Sequence, residues 1–254
     1  MTRTKHYFLS DAHLGSRFKG EDLREKKLVE FCDSISDHAE SLFLMGDIFD
    51  FWFEYRTVVP FRHFAALSAF ERLRKRGVRI VYIGGNHDFW TGNFLTGTLG
   101  VEMYFTPVTM KLGNRNVHLT HGDGLTREEW FYPLFKKIVR NRLNRTLYRL
   151  IHPDIGIPVA HFISSLSRRH IEKTLDIEKV AERYRDAARA LLSASPFDAV
   201  VTGHTHKADL REWQGKTYVN TGNWIRDFNY AMLEDGTFTL HNFKPQWKDK
   251  GKAP

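Results

Sequence analysis

The chain has 254 residues, a formal net charge of +8 and one cysteine, Cys32. A lone cysteine excludes an internal disulfide framework, and its place at helical spacing from Leu28, Phe31 and Ile35 predicts a buried apolar residue. No stretch approaches about 18 uninterrupted apolar residues, which excludes a membrane-spanning helix of that kind, and no apolar signal region opens the sequence. We therefore expect a cytoplasmic protein whose positive charge favours anionic partners.

Residues 1–123 alternate between strand-like and helix-like patterns. Apolar runs at 7–9, 42–45 and 80–83 predict strands. Helices are predicted at 22–38 and at 60–76, the latter with Pro60 near its first turn and Gly77 after its end. This alternation is typical of a parallel sheet covered by helices.

Residues 124–176 interrupt the alternation. Apolar residues recur at three- and four-residue spacing from Trp130 to Ile151, with lysine and arginine between them, which predicts a basic amphipathic helix. After a break at His152-Pro153-Asp154, a second short helix is predicted at about 158–168. We interpret residues of about 125–175 as a helical cap inserted into a single domain of residues 1–254.

The remaining chain is predicted to hold one long helix, 177–193, followed mainly by strands. The strand-like runs lie at 117–120, which precedes the cap, and at 199–202, 217–219, 230–233 and 237–242. Asp235-Gly236, between the last two runs, is typical of a type I′ hairpin turn.

Five short polar clusters follow the predicted strands. They read Asp11-Ala12-His13, Gly46-Asp47-Ile48-Phe49-Asp50, Gly85-Asn86-His87-Asp88, His121-Gly122-Asp123 and Gly203-His204-Thr205-His206. Strands that end at one edge of a sheet would bring all five clusters together. Carboxylate, amide and imidazole groups without a thiolate are ligands for Mn, Fe or Zn ions.

Seven residues of these clusters are candidate metal ligands: Asp11, His13, Asp47, Asn86, His121, His204 and His206. Asp11 and His13 are two residues apart, so in an extended segment both would point to one ion. Two divalent ions would exceed the charge of the two carboxylates and suit a phosphate oxyanion, which predicts a two-metal phosphoester hydrolase. Seven other histidines are expected to be surface or satisfied core residues: His6, His38, His63, His118, His152, His161 and His241.

The order of the five clusters resembles that of the calcineurin-like metallophosphoesterases. The resemblance implies an α/β fold, a four-layer αββα sandwich with a helical cap insertion. It implies that Asp11, His13, Asp47 and His206 hold one ion. It implies equally that Asp47, Asn86, His121 and His204 hold the other, with Asp47 as the bridge. His87 would be a catalytic group that protonates the leaving oxygen or stabilises the phosphoryl charge, oriented by Asp50.

Within that superfamily, segments 8–14, 44–52, 85–89 and 121–123 and the cap resemble the UDP-2,3-diacylglucosamine hydrolases of lipid A biosynthesis. Those enzymes cleave at the α-phosphate, usually with Mn²⁺, to give UMP and 2,3-diacylglucosamine 1-phosphate, and their cap holds acyl chains. The resemblance implies two divalent ions, Mn²⁺ before Fe²⁺ or Zn²⁺. The substrate contacts implied are Asn86, His87, Asp123, Arg168 and Arg169.

Several alternatives stay open at this point. The expected partner is a nucleotide-linked lipid, with association at the cytoplasmic face of the inner membrane. A metallophosphodiesterase acting on a nucleotide, a nucleic acid or a phosphoprotein is the main alternative, although no nucleic-acid-binding motif accompanies the charge and no stable nucleic-acid partner is expected. A non-catalytic scaffold is disfavoured because every ligand position is filled. The apolar stripe of the cap would either line an acyl groove or pack on the core.

Overall fold

The structure is a computed structural model that describes residues 3–16, 20–88, 90–126, 141–174 and 176–245, with residues 165–174 described by their backbone alone. Two β-sheets form its centre. The first has six strands: β1 Lys5–Leu9, β2 Ala39–Leu44, β3 Arg79–Ile83, β4 Glu102–Tyr104, β10 Asn229–Glu234 and β11 Thr237–Asn242. The second has five: β5 Val108–Leu112, β6 Arg115–Leu119, β7 Ala199–Thr202, β8 Ala208–Trp213 and β9 Lys216–Thr221.

Helices precede, follow and link these strands. The α-helices are α1 Glu21–Ile35, α2 Phe64–Lys75, α3 Arg142–Arg149, α4 Pro153–Thr174 and α5 Ile177–Ala194. A 3₁₀ turn, Phe61–His63, precedes α2, and a π-helical turn, Phe94–Thr98, precedes β4. None of the helices in the described part of the chain has both the length and the apolar character needed to cross a bilayer.

The alternation of side chains along the strands produces four layers. In β1, Tyr7 and Leu9 pack with α1 and α2 on one face of the first sheet. Phe8 faces the other way, into the core between the sheets, where its ring stacks on Phe43 with centroids 4.6 Å apart. Helix α5 covers the outer face of the second sheet, where Ala188 packs with residues of β7 and β9. The predicted αββα sandwich is therefore confirmed.

Strand direction determines where the polar clusters lie. The first sheet runs in the order β11-β10-β1-β2-β3-β4, and β1, β2 and β3 are parallel. The second runs in the order β5-β6-β7-β9-β8, with β6 and β7 parallel. Each of these five parallel strands ends at one of the five clusters, so the carboxyl ends of both sheets deliver the predicted ligands to one region.

The cap departs from the predicted pattern in two places. The predicted helix from Trp130 to Ile151 is not continuous, because Asn141 has extended backbone and its side chain accepts a hydrogen bond from Leu143 N, which starts α3 at Arg142; residues 127–140 lie outside the described residues. The second helix is longer than predicted. It starts at Pro153, and Pro158 lies within its second turn rather than at its start.

Candidate metal centre

The carboxyl ends of the five parallel strands bring all seven predicted ligands together. Asp11, His13 and His206 form one group whose ligand atoms lie within 4.8 Å of one another, and Asp47, His121 and His204 form a second. Asn86 joins the second group, with Oδ1 3.2 Å from His121 Nε2. Asp47 also lies at ligand spacing from His13 of the first group, and its role as the bridge stays a prediction.

The first group has the spacing of ligands around one ion. Nε2 of His206 is 3.2 Å from Asp11 Oδ1 and 3.4 Å from His13 Nε2. Ligand atoms bound at roughly 2.0–2.2 Å from a divalent ion stand about 3.0–3.5 Å from one another. The two distances from His206 therefore match a shared cation, and the third pair of the group, His13 Nε2 and Asp11 Oδ1, is 3.9 Å apart.

The second group has the same spacing. His121 Nε2 is 3.4 Å from Asp47 Oδ2 and 3.3 Å from His204 Nδ1. Asp47 Oδ2 also lies 3.8 Å from His13 Nε2 of the first group. One carboxylate oxygen thus faces both groups, which is the position a bridging ligand requires.

In three of the candidate ligands, Asp11, Asp47 and His121, hydrogen bonds with the protein occupy the atom that does not face the centre. Asp11 Oδ2 accepts from Ser10 Oγ and from His204 N, leaving Oδ1 toward His206. Asp47 Oδ1 accepts from His87 N at 2.9 Å, leaving Oδ2 toward the centre. His121 Nδ1 donates to Met45 O at 2.7 Å, so that Nε2 is the nitrogen that faces the centre. Such contacts orient metal ligands and fix the histidine tautomer.

The backbone of the ligands is strained. Asp11, His13, Asp47, His204 and His206 all have φ between 42° and 70°, the left-handed region that non-glycine residues rarely adopt. Each such residue costs about 1–3 kcal/mol, and strain of this kind persists only where the surroundings enforce it. Because five of the candidate ligands have this conformation, the turns favour the position of the side chains over a relaxed backbone.

A glycine makes room for the bridging carboxylate, and substituting it is a direct test. A Cβ on Gly85 would overlap the Asp47 carboxylate, although the backbone there suits any residue. We expect Gly85→Ala to lower metal affinity about 10–100-fold, as loss of ligand orientation does, measured by titrating Mn²⁺ into the metal-free protein. Gly97→Ala is the matched control, since its nearest neighbour would be 3.9 Å away. Equal affinity in both variants would contradict the packing seen at Gly85.

The electrostatics of the site keep both carboxylates charged. Burial disfavours the charged form of Asp11, but His206 outweighs burial and lowers the pKa of Asp11 to about 2. Burial also disfavours the charged form of Asp47. The nearby His121 and His87 outweigh burial and hold the pKa of Asp47 well below its ordinary value. Burial lowers the pKa of His13 to about 4, which leaves its imidazole neutral, the form that binds metals.

The chemistry of the donor set fits two divalent ions. Asp11 Oδ1 is buried and makes no hydrogen bond of regular geometry within the described part of the chain. Carboxylate, amide and imidazole donors suit Mn²⁺, Fe²⁺ and Zn²⁺. The centre therefore has the ligands, the spacing and an oxygen available to a cation.

His87 lies beside the centre on the cap side. Its Nδ1 is 2.9 Å from the carbonyl oxygen of Asp50, and because a carbonyl only accepts, Nδ1 carries the proton. Its Nε2 is 4.0 Å from Asp47 Oδ2, and its side chain is 17% exposed. Asp50 therefore orients His87 through its backbone, while its carboxylate lies 4.0 Å from the ring. His87 also groups with His13 and Asp47 at ligand spacing, so its role as a non-ligand stays a prediction.

The predicted substrate contacts are only partly placed. Asn86 and His87 face the centre. Asp123 lies near His121. Burial lowers the pKa of His121, and the charges of Asp47, Asp11 and Asp123 outweigh burial and raise it. The side chains of Arg168 and Arg169 lie outside the described residues. Their roles stay predictions.

Several supporting residues were not predicted from sequence. Asp88 accepts hydrogen bonds from Gly85 N and Ile48 N, joining the second and third loops. Asn220 donates to Gly203 O and Asn223 donates to His206 O, which fixes the loop that carries His204 and His206. These contacts join residues far apart in the sequence, so the sequence pattern alone does not show them.

His161 was expected to be a surface or core histidine, and the structure places it at the site. It lies on α4, is 7% exposed, and its Nδ1 is 2.9 Å from Asp50 Oδ2. Ser164, one turn further along α4, contacts Asp50 and His87. The cap thus contributes side chains that surround the metal ligands.

The sequence is similar to those of known phosphoesterases. A sequence model of the family described as calcineurin-like phosphoesterase matches residues 5–208. The UDP-2,3-diacylglucosamine hydrolase of Porphyromonas gingivalis is 33% identical over 258 aligned residues, covering 95% of this chain and 98% of that protein. The protein of the same name from Aeromonas salmonicida is 27% identical over 234 residues, covering 90% of this chain and 89% of that protein.

A solved structure also shares the fold. The protein titled a novel archaeal phosphodiesterase aligns with a TM-score of 0.50 and 13% identity, covering 94% of this chain and 99% of that chain. At this identity the likeness concerns the fold alone. Because the family match spans most of the sequence and includes every predicted ligand up to His206, the chain belongs to the calcineurin-like phosphoesterase family.

Proposed function

We propose that this protein hydrolyses UDP-2,3-diacylglucosamine at the α-phosphate, giving UMP and 2,3-diacylglucosamine 1-phosphate. The observation that carries the proposal is a complete seven-ligand centre in a chain 33% identical, over nearly the full length of both proteins, to the P. gingivalis UDP-2,3-diacylglucosamine hydrolase. The proposal includes a cytoplasmic location, which the lipid A pathway of this substrate supports.

The candidate ligands fall into two sets, one for each metal ion. Asp11, His13 and His206 would hold one divalent ion, Asn86, His121 and His204 the other, and Asp47 would hold both. Two such ions, with Mn²⁺ the preferred pair, supply Lewis-acid activation of water and neutralise phosphoryl charge when bound. The residues of the chain orient the substrate and hold the proton that acts on the leaving oxygen.

Water adds to the α-phosphorus while the bond from that phosphorus to the bridging oxygen breaks. The sugar phosphate leaves with the bridging oxygen, and one proton of the water is lost from UMP. His87 is placed to stabilise the phosphoryl charge or, when its Nε2 also carries a proton, to protonate the leaving oxygen, because the Asp50 carbonyl accepts its Nδ1 proton and its Nε2 faces the centre.

The cap presents apolar surface suited to acyl chains. Leu143, Leu147 and Leu150 are 63%, 53% and 80% exposed, so the described part of the stripe on α3 does not pack on the core. On α4, Phe162 and Ile163 are 57% and 61% exposed. This arrangement supports the acyl-groove interpretation of the cap over the core-packing one.

Basic residues accompany that apolar surface. Arg142, Arg145 and Arg149 lie on α3 among the exposed leucines. Exposed apolar side chains flanked by arginines favour the interface of an anionic bilayer. We therefore include peripheral association with the cytoplasmic face of the inner membrane in the proposal.

The lipid role of the cap predicts a selective defect. We expect Phe162→Glu/Ile163→Glu to reduce turnover of UDP-2,3-diacylglucosamine at least about tenfold, because each buried apolar side chain contributes about 1.5–3 kcal/mol to binding an acyl chain. Turnover of bis-p-nitrophenyl phosphate should be retained. Ile177→Glu, an apolar position 59% exposed on α5, is the control. Equal loss on both substrates would favour a packing role for the cap face.

The substrate is tested by comparing two reactions of the wild-type protein. We expect Mn²⁺-dependent release of UMP from UDP-2,3-diacylglucosamine in detergent at a rate far above hydrolysis of bis-p-nitrophenyl phosphate. Turnover of the generic diester alone would leave the metal centre intact as a phosphodiesterase and exclude this substrate.

A further inference from the structure

The carboxylate of Asp50 is a junction between the metal ligands and the cap. It is buried, with the residue 1% exposed. Oδ1 lies 3.5 Å from Nδ1 of the ligand His13 and 3.4 Å from Ser164 Oγ, while Oδ2 lies 2.9 Å from His161 Nδ1. Because a carboxylate only accepts, His161 Nδ1 donates the hydrogen bond. Two of the side chains around this carboxylate, His161 and Ser164, therefore come from the cap helix.

The same helix also reaches His87. Ser164 Oγ is 3.2 Å from His87 Nδ1, the nitrogen whose proton the Asp50 carbonyl accepts at 2.9 Å. His161 and Ser164 are three residues apart and so lie on one face of α4. On this inner face they meet the site, whereas Phe162 and Ile163 between them are exposed. The helix thus has a polar inner face that contacts the centre and an apolar outer face that does not.

The surroundings are shaped to admit the histidine from the cap. Gly15 follows the first cluster, and a Cβ there would lie 3.1 Å from Cε1 of His161 and 2.9 Å from Cε1 of His63. Any side chain at position 15 would push against these rings. An aromatic group holds the neighbouring helix in place, with the ring of Tyr148 on α3 4.6 Å from that of Phe53 and 5.0 Å from that of Trp90.

We infer that His161 and Ser164 are positioning residues that couple the seating of the cap helix α4 to the orientation of His87, acting through Asp50. The inference rests on the proposed role of His87 in hydrolysis. Asp50 carries a buried carboxyl group, which requires hydrogen-bond partners, and the cap supplies two of them. When α4 is displaced, Asp50 loses those donors and His87 loses the hydroxyl beside its Nδ1.

The test compares three variants on a small substrate that needs no acyl groove. His161→Ala removes the donor, His161→Asn keeps an amide nitrogen near the position of Nδ1, and Ser164→Ala removes one hydroxyl. Val159→Ala, an exposed position on the same helix, is the control. For each variant, kcat and KM for bis-p-nitrophenyl phosphate are measured together with manganese content and thermal unfolding.

We expect His161→Ala to lower kcat on the small diester about 10–100-fold, the usual effect of removing a group that orients the reacting ones. KM and a content of two ions per chain should be retained, and His161→Asn should recover most of kcat. Ser164→Ala should lower kcat several-fold, and it carries the test alone if His161→Ala does not fold. An unchanged kcat, a change in KM alone, or a loss that Asn does not recover would overturn the inference. The small diester separates this outcome from the lipid substrate, since failure to cleave UDP-2,3-diacylglucosamine would leave these comparisons unaffected.

Discussion

Asp47→Asn is expected to lower kcat at least about 10³-fold, because Asp47 Oδ2 is the oxygen that faces both ligand groups. Removing its charge leaves neither ion with its full set of donors, so the metal content should fall below two per chain. Metal analysis after gel filtration, together with turnover of bis-p-nitrophenyl phosphate, measures both effects.

The fold should survive this substitution. Asp47 has φ 53°, a left-handed conformation that asparagine tolerates. Asp235→Asn is a matched control, because Asp235 also has positive φ, 49°, but lies in the β10–β11 hairpin. We expect that control to keep both ions and full activity. Two bound ions and near-normal turnover in Asp47→Asn would contradict the bridging role.

His87→Ala is expected to lower kcat about 10²–10⁴-fold, the range for loss of a group that acts on a proton in the transition state. The metal content should stay at two ions per chain, since the other donors of the centre are unchanged. His241→Ala, a substitution on β11, is the control. Loss of an ion from His87→Ala would instead make His87 a ligand, an outcome that its spacing from His13 and Asp47 makes measurable.

Most strands were predictable from the sequence because the central ones are buried on both faces. β1, β2, β3 and β7 have almost entirely buried side chains, so each gives an uninterrupted apolar run. The strands that were not predicted, β4, β5 and β8, are edge strands of the two sheets. Edge strands carry exposed and charged residues, as in Ala208–Trp213, and resemble loops in sequence.

The same distinction applies to the site. Every predicted metal ligand follows a central strand within a few residues, so local pattern and strand direction together indicated which seven residues would come together. The hydrogen bond between His161 and Asp50 joins residues 111 positions apart in the sequence. It depends on how the cap helix packs against the rest of the fold. No local sequence pattern predicts such a contact, because a single histidine on an amphipathic helix has the same pattern as an ordinary surface or core residue.

The central claim is hydrolysis of UDP-2,3-diacylglucosamine at the α-phosphate by the centre at the carboxyl ends of the strands. The most direct test is the Mn²⁺-supported reaction in ¹⁸O-labelled water, with both products weighed by mass spectrometry. We predict one ¹⁸O atom in UMP and none in 2,3-diacylglucosamine 1-phosphate. Label in the sugar phosphate, or no release of UMP from protein that turns over bis-p-nitrophenyl phosphate, would contradict it.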